Sequence, residues 1–171
     1  MGAWKRVMLA ALIMGGMAAC DDADDRSAQE TINQSDPSGI STACLKELPE
    51  PSVESQTSAR LNLTLSDFVY SFEEGRHRFT HDRRFKESAG IGLFIYRGKV
   101  CVEDGTSCAD ACVRYRIEPG GSLTQRDHHF ATPLDPDRIT LQYWARDDAG
   151  HVMTLQQEIQ TKGRAATAIP N

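Results

Sequence analysis

The 171-residue chain is poor in the signatures that name a reaction. It has no Gly-x-Ser-x-Gly elbow, no His-Glu-x-x-His helix and no phosphate-cradling P-loop. Gly90-Ile91-Gly92 lacks the third glycine and the following helix that a dinucleotide site needs. No catalytic residue, cofactor or metal-ligand set follows from the motifs. Positive charge is not in excess: 19 Lys and Arg face 24 Asp and Glu, a formal net charge of -5. Nothing in that balance argues for a broad nucleic-acid-binding surface. No apolar run reaches the roughly 20 residues that a membrane-spanning helix requires. Nor does any segment combine helix caps with a 3.6-residue apolar period. A hydrophobic content of 40% with 25% charged residues is ordinary for a soluble domain, and the length allows one domain plus a leader.

What is present begins at the N-terminus. Lys5 and Arg6 precede residues 7–14, which are apolar throughout, then Gly15-Gly16 and Met17-Ala18-Ala19-Cys20. A positive start, a short apolar run and small residues before a cleavage point describe an export signal. Met17-Ala18-Ala19-Cys20 resembles a lipobox, the cleavage and lipid-attachment signal of bacterial lipoproteins. Met17 departs from the leucine preferred there, whereas Ala18 and Ala19 fit. The resemblance implies a signal peptide over residues 1–19, lipid attachment at Cys20 and a periplasm-facing anchor in the cell envelope. Asp21 behind the modified cysteine implies retention at the inner membrane by the rule common among Gram-negative lipoproteins.

Loss of the two basic leader residues takes the formal charge from -5 to -7, and the acidity is uneven. Residues 20–60 hold nine acids and three bases, whereas residues 61–171 hold 15 and 14. Residues 21–43 lack aromatics and are rich in Asp, Ser and Gln, so they bury too little surface to offset their ordering entropy. As flexible coil they reach about 26 Å, and roughly 80 Å fully extended. A lipidated, largely disordered tether over residues 20–58 is expected, with Pro49 and Pro51 as a stiffer piece near its end.

From residue 59 the pattern changes to short alternating runs separated by turn signals. Leu61, Leu63 and Leu65 alternate with polar residues, as do Phe68, Tyr70 and Phe72 on the opposite parity, so Ser66-Asp67 must be a bulge or turn. His77, Phe79 and His81 share one strand face. Residues 91–96 read as a strand buried on both sides. Asp104-Gly105 is a hairpin signal, and the returning strand puts Ala109, Ala111, Val113, Tyr115 and Ile117 on one face. Residues 123–131 form a weaker strand; Ile139, Leu141, Tyr143 and Ala145, then Met153, Leu155 and Ile159, complete the set. Tyr143-Trp144-Ala145-Arg146-Asp147-Asp148-Ala149-Gly150-His151 is similar to the late hairpin of bacterial immunoglobulin-like modules, where Asn is common at the position of His151. The expected fold is an all-β, antiparallel, immunoglobulin-like sandwich of about eight strands over residues 59–163, with a flexible tail over 164–171.

Setting Cys20 aside leaves four cysteines, an even number that suits an oxidising compartment. A two-residue turn at Asp104-Gly105 places Cys101 opposite Cys108, leaving Cys44 for Cys112. In that register the first pair falls at a hydrogen-bonded site with Cα atoms about 5.5 Å apart. A different loop would favour Cys101 with Cys112, and Cys108-x-x-x-Cys112 also has a spacing that zinc tolerates.

Residues 76–86 are the most unusual stretch of the domain. Arg76, Arg78, Arg83, Arg84 and Lys86 make it a candidate surface for an envelope protein or an anionic glycan, through bidentate guanidinium contacts. The plainer alternative is an edge strand whose charges block edge-to-edge pairing. His77, His128 and His151 are candidates for a site assembled across strands. Asp135, Asp137, Asp147 and Asp148 are read as turn formers rather than calcium ligands. Together these features predict a membrane-anchored envelope lipoprotein whose disulfide-bonded sandwich binds another macromolecule, as an assembly accessory or a periplasmic inhibitor or immunity protein. A small-ligand or metal-binding module, or an enzyme with a His/Asp site lacking a motif, is the alternative.

Overall fold

A computed structural model of the chain describes residues 42–46 and 48–170; Cys20, Asp21 and the rest of the expected leader and spacer lie outside the described residues. One short helix, α1 (Thr42–Lys46), precedes eight strands: β1 (Leu61–Glu73), β2 (Arg76–Glu87), β3 (Leu93–Val102), β4 (Ser107–Ile117), β5 (Ser122–Thr132), β6 (Asp137–Asp147), β7 (Val152–Lys162) and β8 (Ala165–Ile169). They form two antiparallel sheets, ordered β1-β2-β5 and β4-β3-β6-β7-β8. The described residues thus form an all-β antiparallel sandwich of eight strands.

The alternation of apolar residues determines which faces meet. Phe79, Phe85 and Phe130 of the smaller sheet pack against Leu93, Ile95, Ile117, Ile139, Leu141, Tyr143 and Ile159 of the larger. The parity change in β1 is a bulge: pairing with β2 slips between Ser66 and Val69, and Asp67 takes a φ of 56°. The extra residue returns Phe68 and Tyr70 to the face used by Leu61, Leu63 and Leu65. A second slip between Ile95 and Arg97 in β3 sends both Tyr96 and Arg97 to the outer face of the larger sheet. There Tyr96 joins Trp144, Cys44 and Leu48 in a separate apolar cluster, and the Arg97 guanidinium lies 4.2 Å from the Trp144 ring centroid while gripping Asp110.

That outer cluster shortens the expected tether. Leu45 and Leu48 bring apolar surface that residues 21–43 lack, and α1 packs on Tyr96 and Trp144. The chain then runs along the sheet end, with Ser52 and Val53 N–H groups on the Asp148 carbonyl at 2.8 and 3.1 Å. Residues 42–46 and 48–53 therefore pack on the fold. A second correction concerns the tail. Beyond residue 163 the chain continues as β8 on the edge of β7, from Lys162↔Ala165 to Glu158↔Ile169, with Ala166 against the core. Five residues of mostly Ala and Thr carry too little alternation to read as a strand; the unpaired amides of β7 select them.

Both disulfides are between the pairs expected from the Asp104-Gly105 register: Cys101–Cys108 and Cys44–Cys112. The turn itself differs. Left-handed backbone runs through Glu103, Asp104 and Gly105, with φ of 57°, 51° and 88°, so the loop is wider than two residues. The change of loop moves Cys101–Cys108 off the expected hydrogen-bonded spacing: the Cα atoms are 4.1 Å apart, nearer the roughly 4.5 Å of a non-hydrogen-bonded pair.

Buried carboxylates secure the strand ends. Glu87, 0% exposed, accepts backbone N–H groups of Arg60, Ala89, Gly90 and Gly120 at 2.6–3.2 Å. Asp147 accepts those of Ala59, Ala149 and His151 at 2.8–3.0 Å. At the other end of β6, Asp137 holds the N–H groups of Glu103 and Asp104, both at 2.8 Å, in their left-handed turn. For Glu87 and Asp147, burial pushes the carboxyl pKa up, yet the converging N–H groups outweigh it and hold both below the ordinary range.

The depressed pKa values mean that the folded state binds these protons more weakly than the unfolded one. Their stabilisation is complete above the ordinary carboxylate pKa and is lost as pH falls through the folded values. Glu87→Gln, which turns an NH₂ group toward a nest of N–H donors, should cost roughly 3 kcal/mol in urea unfolding at neutral pH. The variant should also flatten the acid limb of the stability curve. Separately, removing Cys44–Cys112 by the Cys44→Ala/Cys112→Ala pair, which opens a loop of sequence separation 68, should cost about 2–4 kcal/mol. Limited proteolysis should then cut within residues 48–58 first.

Candidate functional site

Where the two sheets part, a cleft of about 260 Å³ opens between edge strands β4 and β5. Its cause is side-chain size. Gly98 and Ala111, a register pair, and Ala109, opposite Val100, occupy inward positions of β3 and β4 where the core elsewhere has Ile or Leu. A Cβ at Gly98 would stand 3.4 Å from the Tyr143 ring, which borders the same space. Facing this small-residue wall are His81 and Arg83 from β2 and His128 from β5. A slip between His81 and Arg83 in the β2–β5 pairing, with Asp127 at φ 59°, sets His81 directly across from His128.

His81 is the unusual group. It is 3% exposed, sandwiched by Phe68 at 5.3 Å and Phe130 at 5.6 Å between ring centroids, and neither ring nitrogen has a hydrogen-bond partner. Burial, then the charges of Arg83 and His128, push its pKa down to about 4; the Phe79 backbone opposes this from outside hydrogen-bond geometry. The ring is therefore neutral at pH 7, with one donor and one acceptor unused. His128 is also lowered, first by burial and then by Arg83. Arg83 donates Nε–H to Gln125 and Nη1–H to the Tyr143 hydroxyl, both at 2.7 Å, and Nη2 has no hydrogen-bond partner among the described residues. The cleft thus pairs an apolar wall with a fixed cation and two neutral imidazoles.

The five cations expected to form one surface divide between two faces. Arg83 faces the interior, whereas Arg76, Arg78, Arg84 and Lys86 have the opposite parity on the outer face. Strict alternation along β2 was the available signal. Nor is β2 a charge-guarded edge, because it lies between β1 and β5. Of the outer four, Arg78 pairs with Glu73 at 3.3 Å and Arg76 with Glu103 at 3.9 Å. Arg84 reaches the Ser122 hydroxyl at 3.3 Å, and Lys86 bonds the Gly120 carbonyl.

The histidines considered for a cross-strand site are dispersed. His77 lies opposite Thr132 beside Tyr70, and His151 is bound to Asp147 at the β6–β7 turn. Among the described residues no three His, Cys, Asp or Glu side chains gather as metal ligands. The nearby carboxylates are engaged: Asp82 accepts the Asp127 N–H at 3.2 Å, and Asp110 is held by Arg97. Composition and motifs do not point to His81 or to the small-residue wall, although alternation does place Ala109 and Ala111 on one face with Val113, Tyr115 and Ile117.

Removing the guanidinium should show that it sets the electrostatics of the cleft. Arg83→Met should raise the pKa of both His81 and His128, read by ring proton shifts in an NMR titration. His81 should still titrate below an ordinary histidine, since its burial persists.

No family model matches the chain, and no curated protein matches it. Two solved structures are similar in outline. One is a crystal structure assigned to an ApaA protein from Bordetella pertussis, with a TM-score of 0.46 and 12% identity over 65% of this chain and 93% of that one. The other is an X-ray structure of a structural genomics target, SoR45, with a TM-score of 0.46 and 7% identity over 67% of this chain and 87% of that one. Neither likeness bears on function.

Proposed function

We propose that the protein is a binding module of the bacterial envelope, held to a membrane through lipid on Cys20, and that it receives part of an envelope protein in the cleft between β4 and β5. The observation that carries this reading is the unsatisfied His81 at the cleft floor. A buried imidazole without hydrogen bonds costs free energy in the unliganded fold, and a partner supplying them recovers it. The carboxylates that would turn the histidines into an acid-base pair are committed to Arg97 and to the Asp127 amide, which favours binding over catalysis. The lipobox resemblance and the four paired cysteines support the envelope address.

A photo-crosslinking residue at Ala111, on the inner face of β4, should trap one saturable partner when the full-length chain is expressed in its own envelope. The same residue at Thr124, on the outer face of β5, should not. Cys20→Ser should release the chain from membranes and diminish the crosslink. Equal labelling from both positions would remove the cleft as the binding surface.

A further inference from the structure

The chemistry of the cleft is narrower than binding alone requires. One wall carries Gly98, Val100, Ala109, Ala111 and Leu141, and the other offers nitrogen donors. Arg83 is the fixed charge directed inward, and its Nη2 is free among the described residues. Tyr143 accepts from Arg83 and keeps its own O–H as a donor, so the polar groups left for a ligand include that hydroxyl proton, the Arg83 Nη2 and the His81 and His128 rings. Among the described residues, Asp110 is the carboxylate residue that borders the cleft, and its side chain is taken up by Arg97. Asp82 on β2 turns outward to the Asp127 amide and to Arg126 at 3.9 Å. Asp110 on β4 is held by Arg97, and Lys99 of β3 and His129 of β5 have outward parity at the rim. As to size, an apolar cavity of roughly 150 Å³ already holds a benzene ring. A cleft of about 260 Å³ therefore has room for a ring or branched side chain together with an ionised head.

We propose that the cleft is a site for a carboxylate bearing a compact apolar body, the carboxylate lying against Arg83 Nη2, His81 and His128 and the body against the small-residue wall. This rests on the cleft being the binding surface and states what enters it. Guanidinium and carboxylate match in geometry and charge, and the interior setting strengthens the pairing. The histidines add a sign. An anion between them favours their protonated forms, so binding raises both pKa values and affinity increases as pH falls toward about 5, the charge on the ligand carboxylate being retained above roughly pH 4.5. Two sources supply this chemistry: a free small acid, or the C-terminal residue of a partner chain.

The test uses the full-length chain and four probes: benzoate, benzamide, and a short peptide ending in Phe with its C-terminus free or amidated. His81 and His128 ring protons report by NMR. Benzoate should shift both saturably and raise their pKa values, with benzamide and the amidated peptide roughly tenfold weaker or more. His81→Phe keeps the stacking between Phe68 and Phe130 but removes the nitrogens, and Ala111→Phe fills the cleft from the open edge; each should abolish the shifts in protein whose circular dichroism is unchanged. Benzoate binding without the free-acid peptide assigns a small acid, and tighter binding of the peptide assigns a chain end. Either supports the site. Absence of saturable shifts, equal binding of benzamide, or full binding to Ala111→Phe would overturn it. If Ala111 crosslinks persist while every carboxylate probe fails, the ligand class is wrong and the binding surface stands. If the probes bind and no crosslink forms, the ligand class stands and the protein partner falls.

Discussion

The architecture depends on buried carboxylates that accept backbone amides where strands end. β6 carries one at each end, Asp137 and Asp147, both on the inward parity. Asp137 holds the β3–β4 turn in left-handed backbone, which brings Cys101 and Cys108 together. Asp147 holds the β6–β7 turn and the Ala59 amide, while the next amide, Arg60, belongs to Glu87. Consecutive amides on two different acids fix where β1 starts, and therefore the register in which it meets β2. An exposed acid would exert little such control, because water competes for each bond. Burial makes the arrangement obligatory: each oxygen must find donors, and the turns are shaped to bring them.

Much of the fold was legible because side-chain parity carries it. The Ser66-Asp67 irregularity followed from two sets of aromatic and aliphatic residues out of phase, and the cysteine pairing followed from arithmetic about a turn. In the late hairpin, Tyr143, Ala145 and Asp147 alternate and Gly150 follows at a φ of 91°; in the structure these are the core face, the amide acceptor and the left-handed turn residue. What escaped was the part that depends on tertiary neighbours. Leu45 and Leu48 look negligible in an acidic segment until Tyr96 and Trp144 are seen to be on the outer face, which requires the bulge at Tyr96. Likewise, Ala165–Ile169 is a strand only because β7 leaves an edge.

The cleft was less legible for a different reason. Charge runs draw attention to residues 76–86, yet alternation sends Arg83 to the opposite side from Arg76, Arg78, Arg84 and Lys86. The space that Arg83 and His81 face is made by what is missing opposite them. Gly98, Ala109 and Ala111 are inconspicuous singly and form a wall only when β3 and β4 are paired. A sandwich interior normally fills such positions, because voids forfeit dispersion contacts. Small residues on one sheet facing an unsatisfied polar residue on the other form a two-sided pattern, and it needs the pairing of both sheets to be seen.

The Cys44–Cys112 bridge also decides how the domain would carry a mechanical load. Tension applied upstream of Cys44 passes through sulfur directly into β4, bypassing every residue between the two cysteines. β1, β2 and β3 lie within that covalent loop and cannot be peeled from the N-terminal side, although β1 is the first strand in the chain. The load instead reaches the strand that forms one lip of the cleft. A pull on the N-terminal segment would therefore strain the rim of the pocket before it strained the entry to the sandwich.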